Sequence, residues 1–126
     1  MKIVLMMFLL FSILLTIACG PHPRGDSQNP EWLTNLIQQQ QTQPVANPPA
    51  SITRYEYNGQ IVYFLPQQCC DIPSMVYDVK GNVICHPDGG ITGKGDMRCP
   101  DFFEKRTNEK LIWKDARSYP PERKNE

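Results

Sequence analysis

The stretch ITRYEYNGQIVYFL, residues 52–65, decides the fold. Two runs rich in β-branched and aromatic residues flank Asn58-Gly59, a dipeptide that accepts the positive φ angles of a type I′ turn. A two-residue turn leaves one register: Tyr57 opposite Gln60, Tyr55 opposite Val62, Thr53 opposite Phe64. Side chains alternate across a strand, so one face collects Tyr55, Tyr57, Val62 and Phe64, and that face is the expected core. The other collects Ile52, Arg54, Glu56, Ile61, Tyr63 and Leu65. It is mixed in character and sets Arg54 opposite Tyr63, a cross-strand cation–π arrangement.

Working outward, SMVYDVKGNVIC (74–85) predicts a second hairpin. Asp78 starts its turn, Gly81 takes a left-handed position before Asn82, and Met75, Tyr77, Val83 and Cys85 are the candidate inner side. CPDFFEKRTNEK (99–110) predicts a helical turn or an irregular segment, and KLIWKDA (110–116) a last strand with Leu111 and Trp113 on one face. Residues 118–126, with prolines and dense charge, have the composition of a disordered tail. Upstream, NPEWLTNLIQQQQ (29–41) predicts a short amphipathic helix over residues 30–40. Asn29 is the candidate N-cap, Pro30 the first helical residue, and Trp32, Leu33, Leu36 and Ile37 one apolar stripe that docks on the domain. A Gln/Pro-rich linker, 41–51, joins it to the domain proper, 52–117. The expected class is α+β: a small antiparallel sheet of two hairpins plus a C-terminal strand, stapled by disulfides, with one short N-terminal helix.

The amino terminus addresses a different question. MKIVLMMFLLFSILLTIAC has one basic residue and then a run, 3–17, that is apolar except at Ser12 and Thr16. Fifteen residues of helix fall short of a bilayer core of about 30 Å. The pattern predicts an export signal over residues 1–18 rather than a spanning helix. Leu15-Thr16-Ile17-Ala18-Cys19 resembles the lipobox of bacterial lipoproteins, with Thr16 where that box carries leucine. The resemblance implies that Cys19 is acylated on its thiol, as by palmitate, and becomes the first mature residue. Residues 19–29, CGPHPRGDSQN, then form a tether. The RGD at 24–26 is too short a match to carry an adhesion reading. Loss of Lys2 with the signal leaves 12 basic against 13 acidic side chains, and a near-neutral chain has no electrostatic footprint for nucleic acid. The expected location is the bacterial cell envelope or periplasm, on a membrane held through the lipid at Cys19.

Four further cysteines, Cys69, Cys70, Cys85 and Cys99, lie within 31 residues. In an oxidising compartment an even set in a small domain predicts a disulfide framework. A bond between the adjacent Cys69 and Cys70 would be a strained ring. The expectation is therefore that Cys69 and Cys70 each reach out to Cys85 or Cys99. Zinc is the competing use, with His86 added to the four thiols, but adjacent cysteines lack the spacing of zinc knuckles.

Between Cys85 and Cys99 lies HPDGGITGKGDMR, the candidate ligand loop: Asp88, Gly89, Gly90, Gly93, Gly95 and Asp96. Asp88, Asp96 and Asp101 are weak candidates for calcium, without the alternating acids of an EF-hand and with Lys94 and Arg98 opposing a cation. The reading favoured over calcium has glycines supplying positive φ and aspartates bonding local amides. Lys94 is followed by Gly95 and Asp96, which excludes a P-loop. No serine or cysteine is visibly paired with a base, and the Cys-x-x-Cys spacing of redox enzymes is missing, so the sequence predicts neither an enzyme nor a cofactor.

Residues YEYNGQIVYF, CCD, VYD, PDGGITGKGD, CPDF and KLIWKD resemble a family of uncharacterised bacterial lipoproteins, a domain of unknown function seen chiefly in Bacteroidota. The resemblance covers about residues 52–117, and Met97 stands where glycine is expected. It implies fold and location, and no activity. The functional expectation is a lipid-anchored envelope protein, a small module that is structural or binds a protein or small ligand. The alternatives are a calcium-binding or thiol-redox domain, and a protease-inhibitor-like module.

Overall fold

The computed structural model describes residues 29–69 and 71–119. The signal, Cys19, nearly all of the tether, Cys70 and the last seven residues lie outside the described residues. In chain order the elements are α1 (Glu31–Thr42), β1 (Ser51–Tyr57), β2 (Gln60–Leu65), β3 (Met75–Tyr77), β4 (Val83–Cys85), α2 (Phe102–Lys105) and β5 (Thr107–Lys114). The strands form one antiparallel sheet in the order β4-β3-β2-β1-β5.

The first hairpin has the register its turn dictates. Asn58 and Gly59 sit at φ 49° and 74°, and Thr53, Tyr55 and Tyr57 face Phe64, Val62 and Gln60. The sheet has two cores rather than the one expected. On one face Tyr55, Tyr57, Val62 and Phe64 join Val76, Cys85, Cys99 and Phe102. On the other, Ile52, Tyr63, Leu65 and Tyr77 are buried under Leu33, with Trp32, Leu36 and Ile37 beside it. Helix α1 therefore covers the mixed face, and the stripe that follows from helical spacing is the surface it buries. Leu33 is fully buried, which contributes about 1.5–3 kcal/mol.

The helix starts one residue later than expected. Pro30, not Asn29, occupies the cap position, and the N–H groups of Leu33 and Thr34 reach its carbonyl. At the other end Arg117 holds the helix down. Its guanidinium donates to the carbonyls of Gln43 and Gln40 and forms an ion pair with Asp115 at 2.6 Å. A cation at the last carbonyls of a helix satisfies groups that have no partner within the helix. Trp32 ties the first turn to the second hairpin, donating from Nε1 to Val79 O at 3.0 Å and meeting the rings of Tyr63 and Tyr77. The hairpin turn makes room for it. Gly81 has φ 87°, and a Cβ there would stand 2.6 Å from the Trp32 ring.

Two expected inner faces are corrected by bulges. In β5, Leu111 and Trp113 were to share a face, yet Leu111 is exposed while Ile112 and Trp113 both lie against the helix-side core. The register steps by two residues on β5 for one on β1 between Ile52 and Thr53, which turns two consecutive side chains inward. A similar step between Val76 and Tyr77 sends Val83 to solvent and Cys85 to the face opposite Met75 and Tyr77. The register does pair Arg54 with Tyr63. Among the described residues the guanidinium that stacks on rings, however, is that of Arg106, at 4.6–5.6 Å from the centroids of Tyr55, Phe64, Phe102 and Phe103.

Candidate functional site

The segment between β4 and α2 is the Gly/Asp loop. Its ends are bound to each other: Cys85 and Cys99 form a disulfide with their Cα atoms 6.0 Å apart. This corrects the expectation that Cys85 and Cys99 bridge to Cys69 and Cys70. Cys69 is itself disulfide-bonded. Cys85 lies at the end of a buried strand and Cys99 just before the buried Phe102, so both sulfurs point into the same core. The loop does reach back toward the QQCCD segment, but through backbone. Gly90 N–H donates to Asp71 O, and Gly89 lies so close to Pro73 that a Cβ would stand 2.5 Å from its Cα.

Inside the disulfide the chain folds on itself. Gly95 N–H donates to Gly89 O and Asp96 N–H to His86 O, both at 3.0 Å. Gly95, at φ 64°, presses on the His86 carbonyl so closely that a side chain of any size would collide with it. Gly89, Gly90 and Gly93 also have positive φ. His86 is half-buried, and its Nδ1 lies 2.9 Å from Ser74 O. A carbonyl only accepts, so Nδ1 carries the proton.

The aspartates serve this architecture. Asp88 Oδ1 accepts from the backbone N–H of the buried Ser74 at 3.2 Å, and Asp96 Oδ1 from that of Arg98 at 3.0 Å. Burial opposes the charge on Asp96, but the Arg98 N–H and its neighbours outweigh burial and hold the carboxyl below its ordinary range. Asp101 lies apart, in the approach to α2. Its carboxylate takes Lys105 at 2.6 Å and the Tyr57 hydroxyl at 2.5 Å. Those two bonds hold Asp101 below the usual carboxylate range, and the bond to Asp101 pushes the Tyr57 phenol up. The three calcium candidates are thus not brought together. Among the described residues no group of three or more His, Cys, Asp or Glu side chains could hold a metal ion.

Outward the loop presents Thr92, Lys94, Asp96 and Arg98 together with two apolar side chains. Ile91, at its tip between Gly90 and Gly93, is fully exposed and Met97 largely so, with Phe103 of α2 partly exposed beside them. A shallow depression of about 320 Å³ runs between loop and α2, lined by Pro87, Asp88, Lys94, Met97 and Phe103. This is a frame closed by a disulfide and backbone hydrogen bonds, with an exposed isoleucine at its tip.

The model of a family described as a domain of unknown function (DUF6970) matches residues 38–115. The match begins inside α1 and takes in the Gln/Pro-rich stretch and all five strands. Neither the curated proteins nor the solved structures contain a significant match.

Proposed function

The chain belongs to the DUF6970 family, and from that premise we propose that it is an exported, lipid-anchored envelope protein whose domain binds another protein through the Gly/Asp loop. The bacterial-lipoprotein part of this reading is supported by the leader at 1–18, by Cys19 at its end and by the tether that follows. Structural disulfides agree with an oxidising compartment. The observation that carries the binding role is Ile91, fully exposed at the tip of a loop whose ends are locked by Cys85–Cys99. A rigid loop loses little conformational entropy on docking, and an exposed aliphatic side chain supplies the area to bury. A protease is one class of protein such a loop could meet.

Two measurements test it. Fatty-acid labelling of the chain is expected to vanish in Cys19→Ala. A photo-crosslinker at Ile91 is expected to give a discrete protein adduct in cells, and one at Glu104, on α2, to give none. Labelling that survives the first change removes the anchor, and equal adducts from both positions remove the loop. Thiol–disulfide exchange is the second reading, favoured by one observation: Cys69 is both disulfide-bonded and exposed. It requires that Cys69 be found reduced in a fraction of the native protein.

A further inference from the structure

Helix α1 covers only part of its face of the sheet. Ahead of its first turn, beside Asn29 and Pro30, the face continues across β2, β1 and β5 as an open cleft of about 560 Å³. Arg54 and Lys110 both line it, directly opposite each other on β1 and β5. Like charges facing across an antiparallel pair repel. Among the described residues neither has an acidic partner, and no acid lines the cleft. Glu56, two residues along the same face, instead accepts from Nδ2 of Asn108. Ile61 and Leu111 stand exposed beside the two cations, and Asn29, where the tether enters α1, lines the same cleft.

We propose that this cleft seats the phosphate head group of an anionic phospholipid, docking this face of the domain on a bilayer. The proposal rests on the anchored reading above for its geometry. Asn29 lies ten positions after Cys19. Even fully extended, ten residues span at most about 36 Å. An acyl anchor would therefore hold the cleft within head-group distance and convert a weak contact into an intramolecular one. Guanidinium and ammonium groups donate to phosphate oxygens. Ile61 and Leu111 would lie against the glycerol and upper acyl carbons. The membrane is favoured over an acidic protein because Asn29, ten positions after the proposed anchor at Cys19, itself lines this cleft.

The test uses the mature chain from residue 19 with Cys19→Ala, so that no acyl group contributes. Its flotation is measured with phosphatidylcholine vesicles, with and without a one-third share of phosphatidylglycerol. Binding is expected only with the anionic lipid, weakening as salt rises. The Arg54→Glu/Lys110→Glu pair is expected to weaken it by about tenfold or more, and Lys94→Glu, on the loop, to leave it unchanged. Arg54→Gln/Lys110→Gln, with a melting curve, guards against loss of fold. Equal binding to neutral vesicles, or undiminished binding by both double variants, overturns the proposal. So does saturable binding of a hexaglutamate peptide, or of inorganic phosphate alone, without vesicle binding. Fatty-acid labelling of the unaltered chain reports on the anchor separately. Vesicle binding without labelling removes the anchor and keeps the head-group site, and labelling without vesicle binding does the reverse.

Discussion

Met97 occupies a backbone conformation that favours glycine. Its φ is 61°, it follows the Asp96 turn, and its side chain is largely exposed. The left-handed region costs a residue with a Cβ about 1–2 kcal/mol. Glycine relieves that cost but adds freedom to the unfolded chain, which opposes it by about 0.5–1 kcal/mol. Relief is the larger effect. Met97→Gly is expected to stabilise the domain by about 0.5–1 kcal/mol, read as a higher urea midpoint at unchanged slope. Met97→Ala keeps the strain and serves as the reference. A Gly variant no more stable than the Ala variant would show that the loop does not hold this angle in solution. The glycine expected at this position was legible from the family resemblance. That Gly81 leaves room for Trp32 was not, because the two residues are 49 positions apart and no local pattern joins them.

At the scale of elements, local rules sufficed wherever one turn or one period decided the outcome. The Asn58-Gly59 hairpin, the Asp78–Asn82 turn and the stripe on α1 follow from residues within a few positions. The two bulges in β5 and the one in the second hairpin were hidden, since an extra residue reverses every face beyond it. On β5 the first of them carries Asn108 at φ 53°, tied to Glu56. With exposed Lys110 and Lys114, these bulges also blunt a long edge strand. The disulfide was hidden for a related reason: Cys85 and Cys99 are 14 positions apart and are brought together only by β4 and α2. Closing a loop of this length stabilises by about 3 kcal/mol. Cys85→Ala/Cys99→Ala is expected to lose about 2–4 kcal/mol in urea unfolding and to become cleavable by protease near Ile91. A loss below about 1 kcal/mol would mean that neutral backbone hydrogen bonds across the loop, at about 1 kcal/mol each, order it by themselves.

For the whole molecule, the carboxylates link stability to acid. Asp78 is held below its ordinary value by hydrogen bonds from the Asn82 side chain and backbone, Asp101 by Lys105 and then Tyr57, and Asp115 by Arg117. They sit far apart: Asp78 in the second hairpin's turn, Asp101 before α2, and Asp115 beneath the end of α1. In the unfolded chain each would take up a proton near pH 3.9. In the fold each does so only at lower pH, so the unfolded state binds more protons as the medium turns acid. The stabilisation is therefore fully present above the ordinary carboxylate range and is lost as pH falls through the depressed folded values. Urea midpoints are expected to show no carboxylate-driven slope between pH 7 and pH 5, and to decline steeply below about pH 4. Asp115 makes the sharpest comparison, because its partner Arg117 also holds the carbonyls at the end of α1. Asp115→Asn is expected to lower the midpoint at pH 7 and to flatten the decline below pH 4, so that variant and unaltered chain converge in acid. Parallel curves for the two proteins down to pH 2 would mean that Asp115 does not retain its charge-paired state, and that the clamp between β5 and α1 depends on Arg117 alone.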